Sequence, residues 1–309
     1  MTESFSEIAK SGFQTWKSNI SITVAYIISN AVSVLLMIPV CAAIIAKFMA
    51  FGGVSEDLVA FAANSTDQEI IAALTESFIS FASENLLFLI VVGLIWFIAA
   101  ILVGAFLQAG MTAMVRDAVG TGTCSLNTLI SGGRKYFGVT LGALIVMYLL
   151  LLVICIIYGV ILGVFSVLMF SAPSGGLGAA AALLFGAVVF IASLLLCFLV
   201  YPLYFIIYAP ILDDVGVGQG VTNAFSFIRE YKGDVFRLSG LFVVIAFFCS
   251  ILSIVPLVSV ITNLLLAFVV APAMHTIAVG LYMKRTGLIG SASAPVSEAD
   301  DANEWGDPF

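Results

Sequence analysis

Six apolar runs, at about residues 19–46, 85–115, 137–170, 179–212, 238–256 and 260–283, decide what this chain can fold into. Each is close to or longer than the roughly 20 residues that carry a helix across a bilayer core. Inside lipid no water is present to satisfy a backbone N–H or C=O, so a spanning segment must close its hydrogen bonds within itself. The expected fold class is therefore all-α, a polytopic membrane helical bundle with six transmembrane helices. The third and fourth runs exceed what a bilayer needs and should tilt, bend or project. Composition agrees: 62% of the 309 residues are hydrophobic and 9% charged, too little polar surface to cover a water-soluble globule of this size. The first run is expected to be retained, because Glu3 and Glu7 precede any basic residue, unlike the basic start of a signal peptide.

A second pattern is laid over the runs. Short amphipathic, basic segments precede the first, third and fifth, at Thr2–Lys17, Ser125–Lys135 and Asp213–Arg237. In the first, Ser4-Phe5-Ser6-Glu7 reads as a capping box, and Phe5, Ile8, Gly12, Phe13 and Trp16 recur at helical spacing. In the second the apolar face is Leu126, Leu129, Ile130, Gly133 and Phe137; in the third it is Val221, Phe225, Ile228 and Tyr231. Each segment would lie on the membrane and lead into a span out and a span back. The chain then divides into three repeats, 1–115, 116–212 and 213–287, each an amphipathic helix plus a transmembrane hairpin, followed by an acidic tail at 288–309 expected to be disordered. Residues 48–84 form the one sizeable loop between spans. Thr66 to Glu69 repeats the capping-box pattern there, so a surface helix with Ile70, Ile71, Leu74, Phe78 and Phe81 on one face is expected.

Positive charge sets the orientation, because Lys and Arg are retained on the cytoplasmic side. Of the eleven, all but Lys47 fall at the N-terminus, at 116–135, at 213–237 or at Lys284-Arg285. Both termini are expected in the cytoplasm, in a multi-pass protein of the cell membrane. Arg134, Lys135, Arg229, Lys232 and Arg237 are the candidate contacts for anionic lipid headgroups. The net charge of −7 gives no support for nucleic-acid binding.

Counted back from their basic ends, the returning spans carry helix-weakening residues at one depth. Pro202 and Pro272 stand twelve residues before Asp214 and Lys284, and Ala105, beside Gly104, twelve before Asp117. Three residues further on are Phe205, His275 and Gln108. A proline removes one donor and crowds the carbonyl four residues earlier, here Phe198 and Phe268. Interrupted helices at matching positions can mark a transporter site. Tolerated kinks are common in membrane helices, and that reading is preferred. His275, the only histidine, is either a proton-carrying or ligand group or a neutral interhelical hydrogen-bond partner, with Gln108 as its expected mate. Tyr201, Tyr204 and Tyr208 share a helix face and are read as an aromatic girdle at the headgroup boundary. Gly138-x-x-x-Gly142 and Gly159-x-x-x-Gly163 are read as close helix packing.

Catalysis is not expected. One histidine excludes a His-rich metal site, and no zincin, nucleophile-elbow, Walker or dinucleotide motif is present. No catalytic residue, metal ligand or cofactor is assigned. The five cysteines lack a C-x-x-C and suit packing. No Asp or Glu interrupts a span, which disfavours ordinary ion-coupled transport.

The order of amphipathic helix, basic boundary, span, returning span and Gly-rich loop resembles prokaryotic six-span families. Among these it is similar to the membrane domain attached to some glycerophosphodiester phosphodiesterases, with its stand-alone bacterial and archaeal relatives. Arg116-Asp117-Ala118-Val119-Gly120 with Leu126–Lys135 carries the likeness, as does Asp213-Asp214-Val215-Gly216 with Asn223-Ala224-Phe225 and Lys232. The hydrolase domain of those fusions is not in this chain, so the resemblance implies a membrane module without phosphodiesterase activity. The expectation is a non-enzymatic integral membrane protein that organises membrane lipid, with a protein partner or homo-oligomer also open. The alternative is a permease for a small or lipidic solute, its site near Gln108, Pro202, Pro272 and His275.

Overall fold

The structure, a computed structural model, describes residues 3–51, 67–170, 178–253 and 255–289. Among them every element is helical. Helices α1 (Phe5–Ser18) and α2 (Ile20–Ala50) are followed by α3 (Asp67–Glu84), α4 (Leu86–Thr121), α5 (Leu126–Phe170) and α6 (Gly178–Val200). A 3₁₀ turn at Tyr201–Tyr204 joins α6 to α7 (Phe205–Leu212), after which come α8 (Val217–Glu230), α9 (Lys232–Leu252) and α10 (Pro256–Leu265). A π turn at Leu266–Val270 leads into α11 (Ala271–Arg285). Six helical stretches are long and apolar enough to cross a membrane: Ile20–Ala50, Leu86–Thr121, Leu126–Val164, Leu184–Leu212, Lys232–Leu252 and Val258–Arg285.

Local chemistry explains where these helices begin and end. The capping box of α1 forms as expected: Ser4 N–H donates to Glu7 Oε2 at 2.7 Å, and Ser4 Oγ takes the Glu7 N–H at 3.4 Å. Asn19 then breaks the chain from helix, and the returning spans stop on left-handed residues, Gly122 at φ 82°, Asp214 at φ 55° and Gly287 at φ 74°. The loop helix α3 is present, and its end packs on the end of α2 through Phe48, Phe51, Phe78 and Phe81. The capping box expected at Thr66, the 171–176 linker and the tail beyond residue 289 lie outside the described residues.

One boundary differs from expectation. The segment at 126–135 is not a separate surface helix but the first turns of α5, which runs unbroken through the third span. Nothing between Lys135 and Phe137 stops a helix: there is no proline, and Gly138 alone weakens a helix without ending it.

Packing is concentrated at the end of the bundle where the basic residues lie. There α1 packs on α11, the start of α5 on α4, and α8 on α7. Glycines allow these close approaches. A Cβ on Gly12 would stand 2.9 Å from the Ile277 backbone, one on Gly132 would overlap Ala113, and one on Gly220 would overlap Pro210. By contrast Gly138, Gly159 and Gly163 have nothing within 4 Å, so of the two glycine pairs read as packing motifs only Gly142, against Val217, makes a close contact.

Candidate functional site

Two irregular stretches frame the middle of the bundle. Ahead of Pro272 the helix widens to i→i−5 bonding, with Ala271 N–H on Leu266 O. This relieves the crowding that proline imposes on the preceding turn. At Pro202 the helix tightens instead, and Phe205 N–H reaches Pro202 O. Helix α4 runs unbroken past Ala105 and Gly104, so the third position at this depth has no corresponding interruption.

His275, one turn beyond Pro272, is 2% exposed. Its Nδ1 lies 2.8 Å from the Tyr26 hydroxyl on α2 and its Nε2 3.3 Å from Thr112 Oγ1 on α4. The ring stacks on Tyr208 at 4.7 Å between centroids and 15° between planes. Both ring nitrogens are thus engaged by neutral hydroxyls. With one N–H and one lone pair, a neutral imidazole satisfies both contacts, one as donor and one as acceptor. The cluster ties α2, α4, α7 and α11 together without a charge.

Gln108, expected as the mate, is not among these partners; it is half-buried one turn before Thr112 on α4. A glutamine one turn along the helix offers its amide at a different depth from the imidazole, whereas Thr112 faces it. Tyr201 and Tyr208 are buried rather than forming a girdle, and Tyr201 donates to Met274 O at 3.4 Å. Only Tyr204 is exposed. The sequence reading missed Tyr26 and Thr112, and it gave Tyr208 to the girdle rather than to His275. The signal for Tyr26 was a phenol inside the first run, whose hydroxyl needs a partner in lipid.

The basic end carries a second constellation. Lys135 Nζ binds Asp214 Oδ2 at 3.1 Å and Tyr136 Oη at 2.8 Å; Arg237 pairs with Asp234 at 3.5 Å. The Asp214 carboxyl is held below its ordinary range, first by the Lys135 hydrogen bond. Arg134, Arg229 and Lys232 are exposed and have no ion pair among the described residues. Arg116 bridges Tyr136 Oη and Ile211 O at 2.8 and 3.3 Å, and Asp213 Oδ2 accepts from Tyr282 Oη at 2.7 Å and Asn223 Nδ2 at 2.6 Å. Arg285 is clasped by Asp234, with Nη2 at 2.6 Å and Nε at 2.9 Å from one oxygen. No cluster of His, Cys, Asp and Glu suited to a metal occurs among the described residues.

Fold and site together describe an all-helical protein with six stretches able to cross a membrane and a largely buried polar cluster between them. Comparison with family models, curated proteins and solved structures finds no match to this chain.

Proposed function

We propose that this chain is a non-enzymatic, six-span protein of the cell membrane, with both termini in the cytoplasm, that organises lipid at the inner leaflet. The observation that carries the reading is a pairing found on all three amphipathic segments. Phe13, Ile130 and Phe225 are 47%, 50% and 45% exposed, and four residues after each stands an exposed cation, Lys17, Arg134 or Arg229. At i, i+4 the two side chains share a helix face. One can enter the acyl boundary while the other reaches a phosphate. The same segments support a threefold design related by an axis along the membrane normal, because each packs on a returning span: α8 and the start of α5 on the one just before it, α1 on the last. In that arrangement the chain closes on itself as a ring of three units.

The test replaces Arg134, Arg229 and Lys232 with Gln, residues that no carboxylate neutralises among the described residues. A basic residue near an anionic surface contributes about 1 kcal/mol, or roughly fivefold per charge. Retention of phosphatidylglycerol by the purified triple variant should fall accordingly; retention equal to the parent would refute the reading.

The permease reading draws on one observation, the irregular backbone at 201–204 and 266–270 beside His275. Against it stands the burial of His275, Thr112 and Tyr208. A His275→Cys variant without the native cysteines separates the two. Labelling by a charged thiol reagent would favour the permease, and protection favours the organising role.

A further inference from the structure

The outer side of α2 carries a polar group that lipid cannot satisfy. Asn30 stands ten residues after Ile20, the start of the helix. At 1.5 Å per residue that is about 15 Å along the axis, half the depth of a roughly 30 Å hydrocarbon core. Its side chain is exposed, and one Nδ2 hydrogen goes to Tyr26 O of the same helix at 2.9 Å. The other hydrogen and Oδ1 have no partner among the described residues. An amide left unmet in hydrocarbon is costly, so the group that meets it must be a polar group on another span.

Asn30 does not stand alone. Ile27, Asn30, Val34, Met37 and Cys41 follow one another at intervals of three and four residues, and all five are exposed. The helix meets its own bundle on a different face, through Ile22, Ala25, Tyr26 and Val32. Intervals of three and four average 3.5, the repeat with which two helices wrap around each other in a left-handed coil, and one Asn in such a seam fixes its register.

A carboxamide both donates and accepts, so it is complementary to itself. Copies of one chain enter the membrane in the same orientation. A two-fold axis along the membrane normal therefore sets α2 parallel to α2, and every seam residue meets its own counterpart. We propose that this seam is the contact between two copies of the chain, with the two Asn30 carboxamides paired across the axis. The free Nδ2 hydrogen of one goes to Oδ1 of the other, and the bond to Tyr26 O is kept. A lipid tail on the same face would leave both amides unmet.

Cys41 lies in the seam and reports on it. With the other four cysteines of the full chain replaced by Ser, oxidation by copper phenanthroline in isolated membranes should give a disulfide-linked product of twice the 32.6 kDa chain. Val34→Cys in a Cys41→Ser background should cross-link too. Leu35 is as exposed as Val34 but one position off the seam. Leu35→Cys should therefore react about tenfold more slowly, because its thiol points away from the axis. Asn30→Leu puts a side chain at home in lipid on an exposed position, so the variant should fold. Association in lipid vesicles, read by energy transfer between copies labelled at the C-terminus, should weaken about three- to thirtyfold in that variant. No product from Cys41, a product of any other mass, equal rates for Val34→Cys and Leu35→Cys, or association unchanged in Asn30→Leu would each overturn the proposal.

Discussion

Replacing Gly220 with Ala tests how the amphipathic segments are held. A Cβ at Gly220 would stand 2.6 Å from Pro210 Cβ and 2.7 Å from Pro210 Cα, with Pro210 Cγ closer still. Carbon atoms rest at about 3.5–4.0 Å, so α8 must retreat from α7 by close to 1 Å. Rotamer changes cannot relieve this, since one clashing atom is backbone and the others belong to a rigid ring. Overpacking of this kind costs about 1–3 kcal/mol. Ala is also the better helix former, by about 1 kcal/mol, which works in the opposite direction. Gly159→Ala isolates that gain, because nothing lies within 4 Å of its Cβ position. The two variants should therefore differ by about 1–3 kcal/mol, a gap of several degrees in thermal midpoint at about 2–4 °C per kcal/mol. The assay is loss of the monodisperse peak on heating in detergent, followed by size-exclusion chromatography. Equal midpoints for Gly220→Ala and Gly159→Ala would show that α8 is not pressed against Pro210.

Asn19 donates to Thr15 O at 2.9 Å and Gly122 O at 3.1 Å and accepts from Cys124 N–H at 3.1 Å, at 5% exposure. Asn19→Ala should cost about 2–4 kcal/mol by the same thermal assay, through backbone groups left unpaired. His275→Phe keeps aromatic volume on Tyr208 but leaves the Tyr26 hydroxyl without its partner; a loss of about 1–3 kcal/mol is expected, and Tyr26→Phe should recover part of it in the double variant. Glu7 has its carboxyl pKa lowered from 4.5, chiefly by the Ser4 backbone N–H and then by the Ser4 hydroxyl. A depressed folded-state value means that its contribution is complete above the unfolded pKa and is lost as pH falls through the lowered one. Between pH 6 and pH 3 the wild-type thermal midpoint should therefore drop further than that of Glu7→Gln.

What could be read in the sequence was what depends on nearest neighbours. The Ser4–Glu7 box, the span limits and the disturbance at Pro202 and Pro272 all follow from residues a few positions apart. The form of each disturbance, tight at Pro202 and wide at Pro272, depends on what packs beside it and was not legible. The partners of His275 were hidden for a related reason. Tyr26 is 249 residues away in the chain, and no local pattern says that the first span meets the last. The docking of α1 on α11 was equally hidden, although Gly12 and Gly220 lie within the segments picked out by their apolar spacing. The unbroken α5 shows the converse limit: a change from amphipathic to apolar composition marks where a helix changes surroundings, not where it ends.

The distribution of contacts implies that the two halves of the bundle are held differently. In water apolar area would bind the helices together, but lipid chains are as apolar as leucine, so close backbone approach and interhelical hydrogen bonds must do so. Both are plentiful at the basic end. Toward the other end Val34, Leu35, Met37 and Ile38 are exposed on successive faces of α2, as are Leu94, Ile95, Phe97 and Ile98 on α4. Among the described residues, one hydroxyl there joins α5 to α6: Tyr158 Oη lies 2.9 Å from Ser193 Oγ and 3.5 Å from Val189 O. Removing it should loosen that hairpin locally, while removing Thr112 Oγ1 disturbs a cluster on which four helices converge. Tyr158→Phe is thus expected to leave the thermal midpoint within about 1 °C of wild type. Thr112→Val should lower the midpoint by several degrees, at about 1–3 kcal/mol for the lost partner. Equal midpoints for the two variants would mean that the polar cluster is no more important to the bundle than a single contact at its periphery.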